Sequence, residues 1–236
     1  MFNFNVPVLN YHSISNDNSF VSLNIKEFEF QMSLLKKYGY RTVFFNEINP
    51  IDKNQIIITF DDAYKDIIFN ALPILSKYNF KAICYVVSNF IGKNNQWDAK
   101  RKDYITKDIM NENDLKLWIT NGMHIGSHSN NHYDLTKLNR NELDYELSKS
   151  KEILESITSK EVTNFCYPYG RLNSATVDGV SKIYSTAVTT NRSRYYPKKH
   201  NSYKIPRIDM GQEISSLKIF LKLKTFYEDI KYKNDL

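Results

Sequence analysis

Cysteine is nearly absent from this chain of 236 residues: only Cys84 and Cys166 occur, each inside an apolar run. Two such thiols make neither a disulfide framework nor a zinc knuckle, and they read as reduced core residues. Glycine and proline are scarce too, with seven and six residues, and no Pro/Gly-rich linker, internal repeat or low-complexity block divides the chain. No run of eighteen apolar residues exists, which excludes a membrane-spanning helix. Residues Met1 to Pro7 lack the basic start and long apolar stretch of a secretory signal. The expectation is therefore a cytoplasmic location, or one peripheral to the cytoplasmic membrane.

What is present is an ordinary globular balance, 42% hydrophobic, 25% charged and 14% aromatic. A chain this long buries enough apolar surface to fold without disulfides or a structural metal. A single domain over residues 1–236 is expected, with a basic C-terminal helix at about 212–231. The net charge of +6 sits largely in Lys-rich stretches such as Lys198-Lys199 and the C-terminal segment. It reads as a solvated basic surface, with anionic lipid headgroups or phosphates left open as peripheral partners. No nucleic-acid motif accompanies it, and the oligomeric state is left open.

Short apolar runs alternate with longer helical patterns. Strands are expected at Val6 to Tyr11, Arg41 to Phe45, Gln55 to Phe60, Lys81 to Val87, Met123 to Ser127, Thr163 to Tyr167, Ser185 to Thr189 and Tyr203 to Ile208. Helices are expected at Ile25 to Lys37, Tyr64 to Lys77, Glu112 to Thr120, Arg140 to Ile157 and Ile214 to Lys231. In the first of these, Phe28, Met32, Leu34 and Leu35 form an apolar stripe that ends in Lys36-Lys37 and Gly39. Alternating strands and helices predict parallel βαβ units in an α/β fold.

The chemically suggestive residues all follow strands. Asp61-Asp62 end the run Gln-Ile-Ile-Ile-Thr-Phe, His128 ends Met-His-Ile-Gly-Ser, Tyr167-Pro168-Tyr169-Gly170 ends Thr-Asn-Phe-Cys, and His12 ends Val-Pro-Val-Leu-Asn-Tyr. In a parallel barrel these carboxyl ends open on one face, where such folds place active sites. Two adjacent carboxylates repel each other, so Asp61-Asp62 need solvent, a counter-charge or a metal; the alternative is a helix N-cap. His128 and His132 have a spacing that lets both imidazoles face one way, and imidazole binds zinc and related ions; the alternative is a pair of exposed loop histidines. His124 is not needed for any ligand set and reads as structural. A carboxylate with two histidines is the usual make-up of a hydrolytic metal site, and a second carboxylate suits a general base.

Thr59-Phe60-Asp61-Asp62, His128-Ser129-Asn130-Asn131-His132 and Phe165-Cys166-Tyr167-Pro168-Tyr169-Gly170 resemble, in order, three motifs of the polysaccharide deacetylase family. Val8-Leu9-Asn10-Tyr11-His12 and the stretch Phe28 to Tyr40 are also similar to the amino-terminal part of many members, so the likeness runs roughly from Val6 to Arg207. The Tyr-Pro-Tyr-Gly form and the early Tyr-His are closest to the biofilm poly-N-acetylglucosamine deacetylases. The resemblance implies a distorted (β/α)7 barrel and one divalent metal ion, usually Zn2+, with Co2+, Ni2+ or Fe2+ also compatible with the donors. The reaction it implies is deacetylation of an N-acetylated sugar, in a polysaccharide or in a lipid- or nucleotide-linked precursor. Removal of a formyl group from a lipid-linked amino sugar and a catalytically silent carbohydrate-binding role are the alternatives. By the same resemblance Asp62, His128 and His132 match the metal triad, Asp61 the base, and Tyr169 the residue whose backbone N–H stabilises the oxyanion.

Two departures stand out. The family often carries an arginine where Cys166 stands, and Arg207 or Arg171 is left to supply that charge, with Arg171 more readily an ordinary surface residue. The family's late histidine motif is missing, and His200, in the polar run Pro197 to Asn201, reads as an exposed loop residue. His12 is the candidate general acid in its place, because imidazole titrates near working pH and the strand before it opens on the same face as the metal.

Overall fold

The computed structural model describes residues 4–211 and 213–233. Ten strands run as β1 Val8–Tyr11, β2 Ser13–Ile14, β3 Ser22–Leu23, β4 Arg41–Thr42, β5 Gln55–Phe60, β6 Ile83–Val86, β7 His124–Ser127, β8 Asn164–Cys166, β9 Thr186–Arg192 and β10 Ile205–Asp209. The helices are α1 Ile25–Lys37, α2 Asp66–Phe69, α3 Ala71–Tyr78, α4 Glu112–Thr120, α5 Arg140–Thr158, α6 Ser174–Ser181, α7 Ser216–Lys224 and α8 Tyr227–Lys231. Among the described residues no helix is long and apolar enough to cross a membrane.

The strands close a parallel barrel in the order β1-β10-β9-β8-β7-β6-β5, and β5 pairs back to β1. Seven strands close the ring, because β4 shares one edge of β5 with β1: Gln55 and Ile56 pair with β4, and Ile57 to Phe60 pair with β1. The two-residue alternation of a strand then sorts the side chains. Val8, Ile57, Ile83, Tyr85, Cys166, Val188 and Ile205 pack together inside the barrel. Leu9, Ile58, Phe60, Cys84, Val86, Phe165 and Ile208 face outward into the layer under the helices. Each apolar run is buried on both faces, as parallel strands require. Cys84 and Cys166 are free and buried on opposite sides of the sheet wall.

Three helical expectations change. The helix expected over Tyr64 to Lys77 is two, α2 and α3, joined at Asn70. Pro73 has no N–H to give the carbonyl of Phe69 and its ring crowds that turn, while the Asn70 backbone N–H closes α2 on Asp66 O at 2.9 Å and its side-chain amide donates to Ile14 O at 2.8 Å. The C-terminal helix is also two, because Thr225 between α7 and α8 has extended backbone (φ −126°, ψ 178°); position 212, where it was expected to begin, lies outside the described residues. Helix α6 was not anticipated: it is short, contains Gly179, and is started by a reciprocal Asn173–Thr176 capping box. Gly179 lets α6 pack closely on α5, since a Cβ there would lie 3.1 Å from the Leu147 side chain.

Candidate active site

The barrel interior becomes polar toward the carboxyl ends of its strands. Continuing the inward alternation past Val8, Ile57 and Cys166 leads to His12, Asp61 and the Pro168–Gly170 turn. Going up β7 the same way passes from His124 through Gly126 to His128. Gly126 is required there, because a Cβ would sit 2.4 Å from the Tyr85 ring that fills the barrel at that level. His124 stays at the other end, where its ring stacks on Phe44.

Asp61 remains in the ladder, its N–H donating to Tyr11 O at 3.0 Å. Asp62 and Ala63 then take left-handed backbone, with φ of 72° and 57°, and helix α2 begins only at Asp66 after Lys65, without a side-chain cap. Neither aspartate caps a helix. Ser129, His132 and Tyr169 are left-handed as well (φ 63°, 58° and 58°). Five non-glycine residues in an unfavourable region, all at one end of the barrel, are backbone strain concentrated at a site.

The strained loops are held from outside. The side chain of Glu146, buried on α5, accepts from the backbone N–H groups of Asn130 and Asn131 at 3.0 and 2.8 Å. Ser88 Oγ donates to Asn130 Oδ1, and the Asn89 amide donates to Asn131 Oδ1. His132 N donates to Ser129 Oγ at 3.0 Å. Glu146 escapes a motif reading; its one sequence signal is an acid on the apolar face of α5, beside Leu143 and Leu147. On the opposite loop Gly170 (φ 67°) lies under Thr190, whose Oγ1 would be 1.9 Å from a Cβ.

These devices bring Asp62, His128 and His132 together. Their ligand atoms lie within 4.8 Å of one another, with Asp62 Oδ1 at 3.5 Å from His128 Nε2 and 3.4 Å from His132 Nε2. His128 Nδ1–H donates to Cys166 O at 2.8 Å, which leaves the Nε2 lone pair for Asp62's side of the site. A histidine that ligates a metal is commonly oriented this way. All three residues are buried. Burial pushes the His128 imidazole down to about 4 and the His132 imidazole well below its usual range, so both are neutral near pH 7. Burial, and then the charge of Asp61, push the Asp62 carboxyl far above the carboxylate range. Asp62 Oδ1 and His132 Nδ1 are buried without a hydrogen-bond partner. A cluster of lone pairs around a carboxylate that only a positive charge would keep ionised fits a divalent cation.

A second grouping, Asp61, His128 and Cys166, is equally compact but chemically committed elsewhere. Arg207 reaches from β10 to grip Asp61 in a two-pronged pair, Nη1–Oδ1 and Nη2–Oδ2 both 2.7 Å. Its remaining donors go to Thr189 O at 2.9 Å, Thr59 Oγ1 at 3.1 Å and Cys166 Sγ at 3.4 Å. Burial pushes Asp61 up, but the charge and hydrogen bonds of Arg207 outweigh it and hold the carboxyl well below the ordinary range. Burial likewise keeps the Cys166 thiol protonated. Arg171, by contrast, is exposed, pairs with Asp134 at 2.7 Å and lies over the Tyr169 ring.

His12 lies in the same cavity, partly exposed, with Nε2 3.9 Å from Asp61 Oδ2. Burial lowers its pKa and the Asp61 charge partly restores it. His200 does not line this cavity; it is half-buried, not an exposed loop residue, and accepts from Tyr196 N at 3.2 Å. Tyr169 lines the cavity with its ring against His132, and its backbone N–H donates to no acceptor among the described residues. The cavity measures about 120 Å³ and is also lined by Phe20, Val21, Asp98, Arg101, Tyr167 and Thr190. Trp97 completes the wall against His132, ring centroids 5.0 Å apart. Phe20, Trp97, Asp98 and Arg101 carry no motif, so sequence reasoning missed them. A larger cavity, about 580 Å³, opens at the amino-terminal end of the barrel near His124; neither compact ligand cluster faces it.

The family model for polysaccharide deacetylases matches residues 48–188. YxkH of Bacillus subtilis (strain 168), a polysaccharide deacetylase by name, is 33% identical over 193 residues, which are 78% of this chain and 64% of YxkH. This chain thus spans under two thirds of that relative's length. The poly-beta-1,6-N-acetyl-D-glucosamine N-deacetylase of Staphylococcus aureus (strain MRSA252) is 24% identical over 229 residues, 87% of this chain and 73% of that protein. Among solved structures, BC0361, a polysaccharide deacetylase from Bacillus cereus, matches with a TM-score of 0.80 and 26% identity over 94% of this chain and 70% of that one.

Proposed function

Because this chain belongs to the polysaccharide deacetylase family, we propose that it is a metal-dependent hydrolase that removes the acetyl group from N-acetylated amino sugars, acting as a single catalytic domain. The observation that carries this reading is the pairing of two carboxylates with opposite environments. Asp62 is buried among neutral imidazoles with an unpartnered oxygen, and Asp61, beside it, is held ionised by Arg207. Two adjacent acids pushed apart in pKa have separate tasks.

Asp62, His128 and His132 would hold the cation. A divalent ion there, zinc first, would supply Lewis acidity to the acyl carbonyl and to the attacking water. The Tyr169 N–H offers a fixed dipole to the oxygen that gains negative charge. Asp61 accepts the proton of water as its oxygen bonds to the acyl carbon. Arg207 keeps that base ionised and fixes the plane of its carboxylate. When the C–N bond breaks, the nitrogen needs a proton, since an amide anion leaves poorly; in this reading protonated His12 delivers it, a role supported by its Nε2 lying 3.9 Å from Asp61 Oδ2 in the same cavity.

The direct test is mass spectrometry of candidate N-acetyl sugars after incubation with metal-loaded protein, where loss of one acetyl group is expected and no mass change with any of them counts against the reading. Asp61→Asn is expected to keep its metal while turnover falls on the order of a hundredfold or more; loss of the ion from a folded variant would make Asp61 a ligand instead. His12→Ala should likewise lose most turnover and keep the ion, whereas His200→Ala, altering a side chain outside the cavity, should stay close to wild type. The reverse ranking would return the acid's role to the late part of the chain.

A further inference from the structure

The upper cavity is small for its proposed substrate. Its volume of about 120 Å³ is well under the roughly 300–1,000 Å³ of pockets that enclose a whole drug-sized ligand. It suits a short acyl group and leaves the sugar ring at the rim. One side of that rim is built by two segments outside the barrel, the excursion through β2 and β3 and the irregular stretch between β6 and α4. They contribute Phe20, Asp98 and Arg101.

Both segments are locked in place. Lys107, 7% exposed, pairs through Nζ with Asp17 and with Asp66 at 3.1 Å, and donates to Ser22 Oγ at 3.2 Å. Asp66 accepts in turn from Ser13 Oγ at 2.6 Å and Ile14 N at 3.0 Å. The Asn95 side chain accepts from Lys107 N and donates to Ile105 O, at 2.8 and 3.1 Å. One buried ammonium therefore ties the first segment, the second segment and the start of α2 together. On this base the Arg101 guanidinium lies 3.7 Å from the Phe20 ring centroid and is gripped by both Asp103 oxygens at 3.1 and 3.0 Å. Phe20 is still 45% exposed, an unusual state for so firmly held an aromatic ring beside a cavity.

Asp98 differs from the acids around it. Asp17, Asp66, Asp103 and Asp114 each have a cationic partner in direct contact, whereas Asp98, half-buried in the cavity wall, makes no ion pair within 4.0 Å among the described residues and feels Arg101, His12 and the Trp97 indole only as weaker influences against its burial. A half-desolvated carboxylate is costly unless something hydrogen-bonds to it. We propose that Asp98 and Phe20 form the sugar-recognition wall of this site. The Asp98 carboxylate accepts hydrogen bonds from hydroxyls of the pyranose whose acylamino group enters the cavity, and Phe20, backed by Arg101, packs against the apolar face of that ring. This rests on the deacetylase reading above for the identity of the sugar. Lys107 is a positioning residue for the wall, since it touches neither cavity nor substrate.

The test separates binding from turnover. Calorimetry measures binding of a short β-1,6-linked N-acetylglucosamine oligosaccharide to the metal-loaded protein, and kcat/KM is measured for the same oligosaccharide and for p-nitrophenyl acetate, which has no sugar. Asp98→Ala and Phe20→Ala are each expected to weaken oligosaccharide binding at least tenfold, and to lower the oligosaccharide-to-ester ratio of kcat/KM by a similar factor. Asp98→Asn, which keeps an acceptor, should recover part of the loss. Lys107→Met should raise KM for the oligosaccharide more than it lowers kcat. Wild-type affinity in both alanine variants overturns the wall. Wild-type protein that binds the oligosaccharide, loses affinity in these variants, yet releases no acetate would leave the wall standing and sink the deacetylase reading. Ester cleavage without any oligosaccharide binding overturns the wall alone.

Discussion

Protein carrying His132→Ala is expected to emerge folded but without its divalent ion, and to lose turnover in the same step. The three donors converge on Asp62 Oδ1, with the imidazole nitrogens at 3.5 and 3.4 Å, and the adjacent carboxylate, Asp61, cannot take the vacated place because both its oxygens are on Arg207. Two remaining ligands hold a cation poorly. The fold should survive, because the loop is braced through Asn130, Asn131 and Glu146 rather than through the imidazole ring. Elemental analysis after dialysis, with circular dichroism as the control for folding, checks this. A variant that retains a full equivalent of metal would remove His132 from the ligand set.

The second large effect is on stability. Arg207→Met strands Asp61 inside the barrel, and breaking a buried pair by removing one partner costs about 3–5 kcal/mol. Arg207 is 1% exposed and makes five polar contacts to Asp61, Thr59, Thr189 and Cys166, so solvent cannot rescue the charge. The sign of the pH dependence follows from the two pKa shifts. In wild type the Asp61 pKa is depressed, so its contribution is present above the unfolded value of about 3.9 and is lost as pH falls through the folded value. Without Arg207, burial outweighs the remaining influence of His12 and His128 on Asp61 and raises its pKa, so the variant is penalised as pH rises and relieved as pH falls. The stability gap between the proteins should be widest near neutrality and narrow toward pH 4, measured by urea unfolding at each pH. Adding Asp61→Asn to Arg207→Met should recover much of the loss. A gap independent of pH, with no recovery in the double variant, would mean that Arg207 contributes packing rather than charge.

Arg207 also marks the border between what is legible in the chain and what is not. The runs Gln55–Phe60 and His124–Ser127 announce strands by composition, and the polar residues just beyond them announce a common face once a parallel barrel is assumed. The break of the second helix was legible in principle from Pro73, whereas α6 was hidden by Gly179 and β-branched residues that lower its local preference. Choosing between Asp61 and Asp62, and between Arg171 and Arg207, could not be done from adjacency. It depended on which carboxylate faces a guanidinium 146 positions later. Glu146, Trp97 and Asp98 are in the same class: ordinary residues in sequence, given their places by packing.

The sequence by itself determined the alternation of strand and helix, the buried character of each strand, and the set of acids and histidines carried to the strand ends. Those follow from periods of two and 3.6 residues and from strand-end chemistry, which act over a few neighbours. Local patterns did not decide how β4 shares an edge of β5, that Arg207 rather than Arg171 grips Asp61, or that Lys107 pins two outer segments over the cavity; the seven-strand closure and the division between Asp61 and Asp62 came from the likeness of whole motifs, not from neighbouring residues. The physical reason is that closure brings the first and last strands side by side: β1 pairs with both β5 and β10. Contacts across that ring depend on stagger and on left-handed turns at Asp62, His132 and Tyr169, and neither leaves a local pattern in the chain.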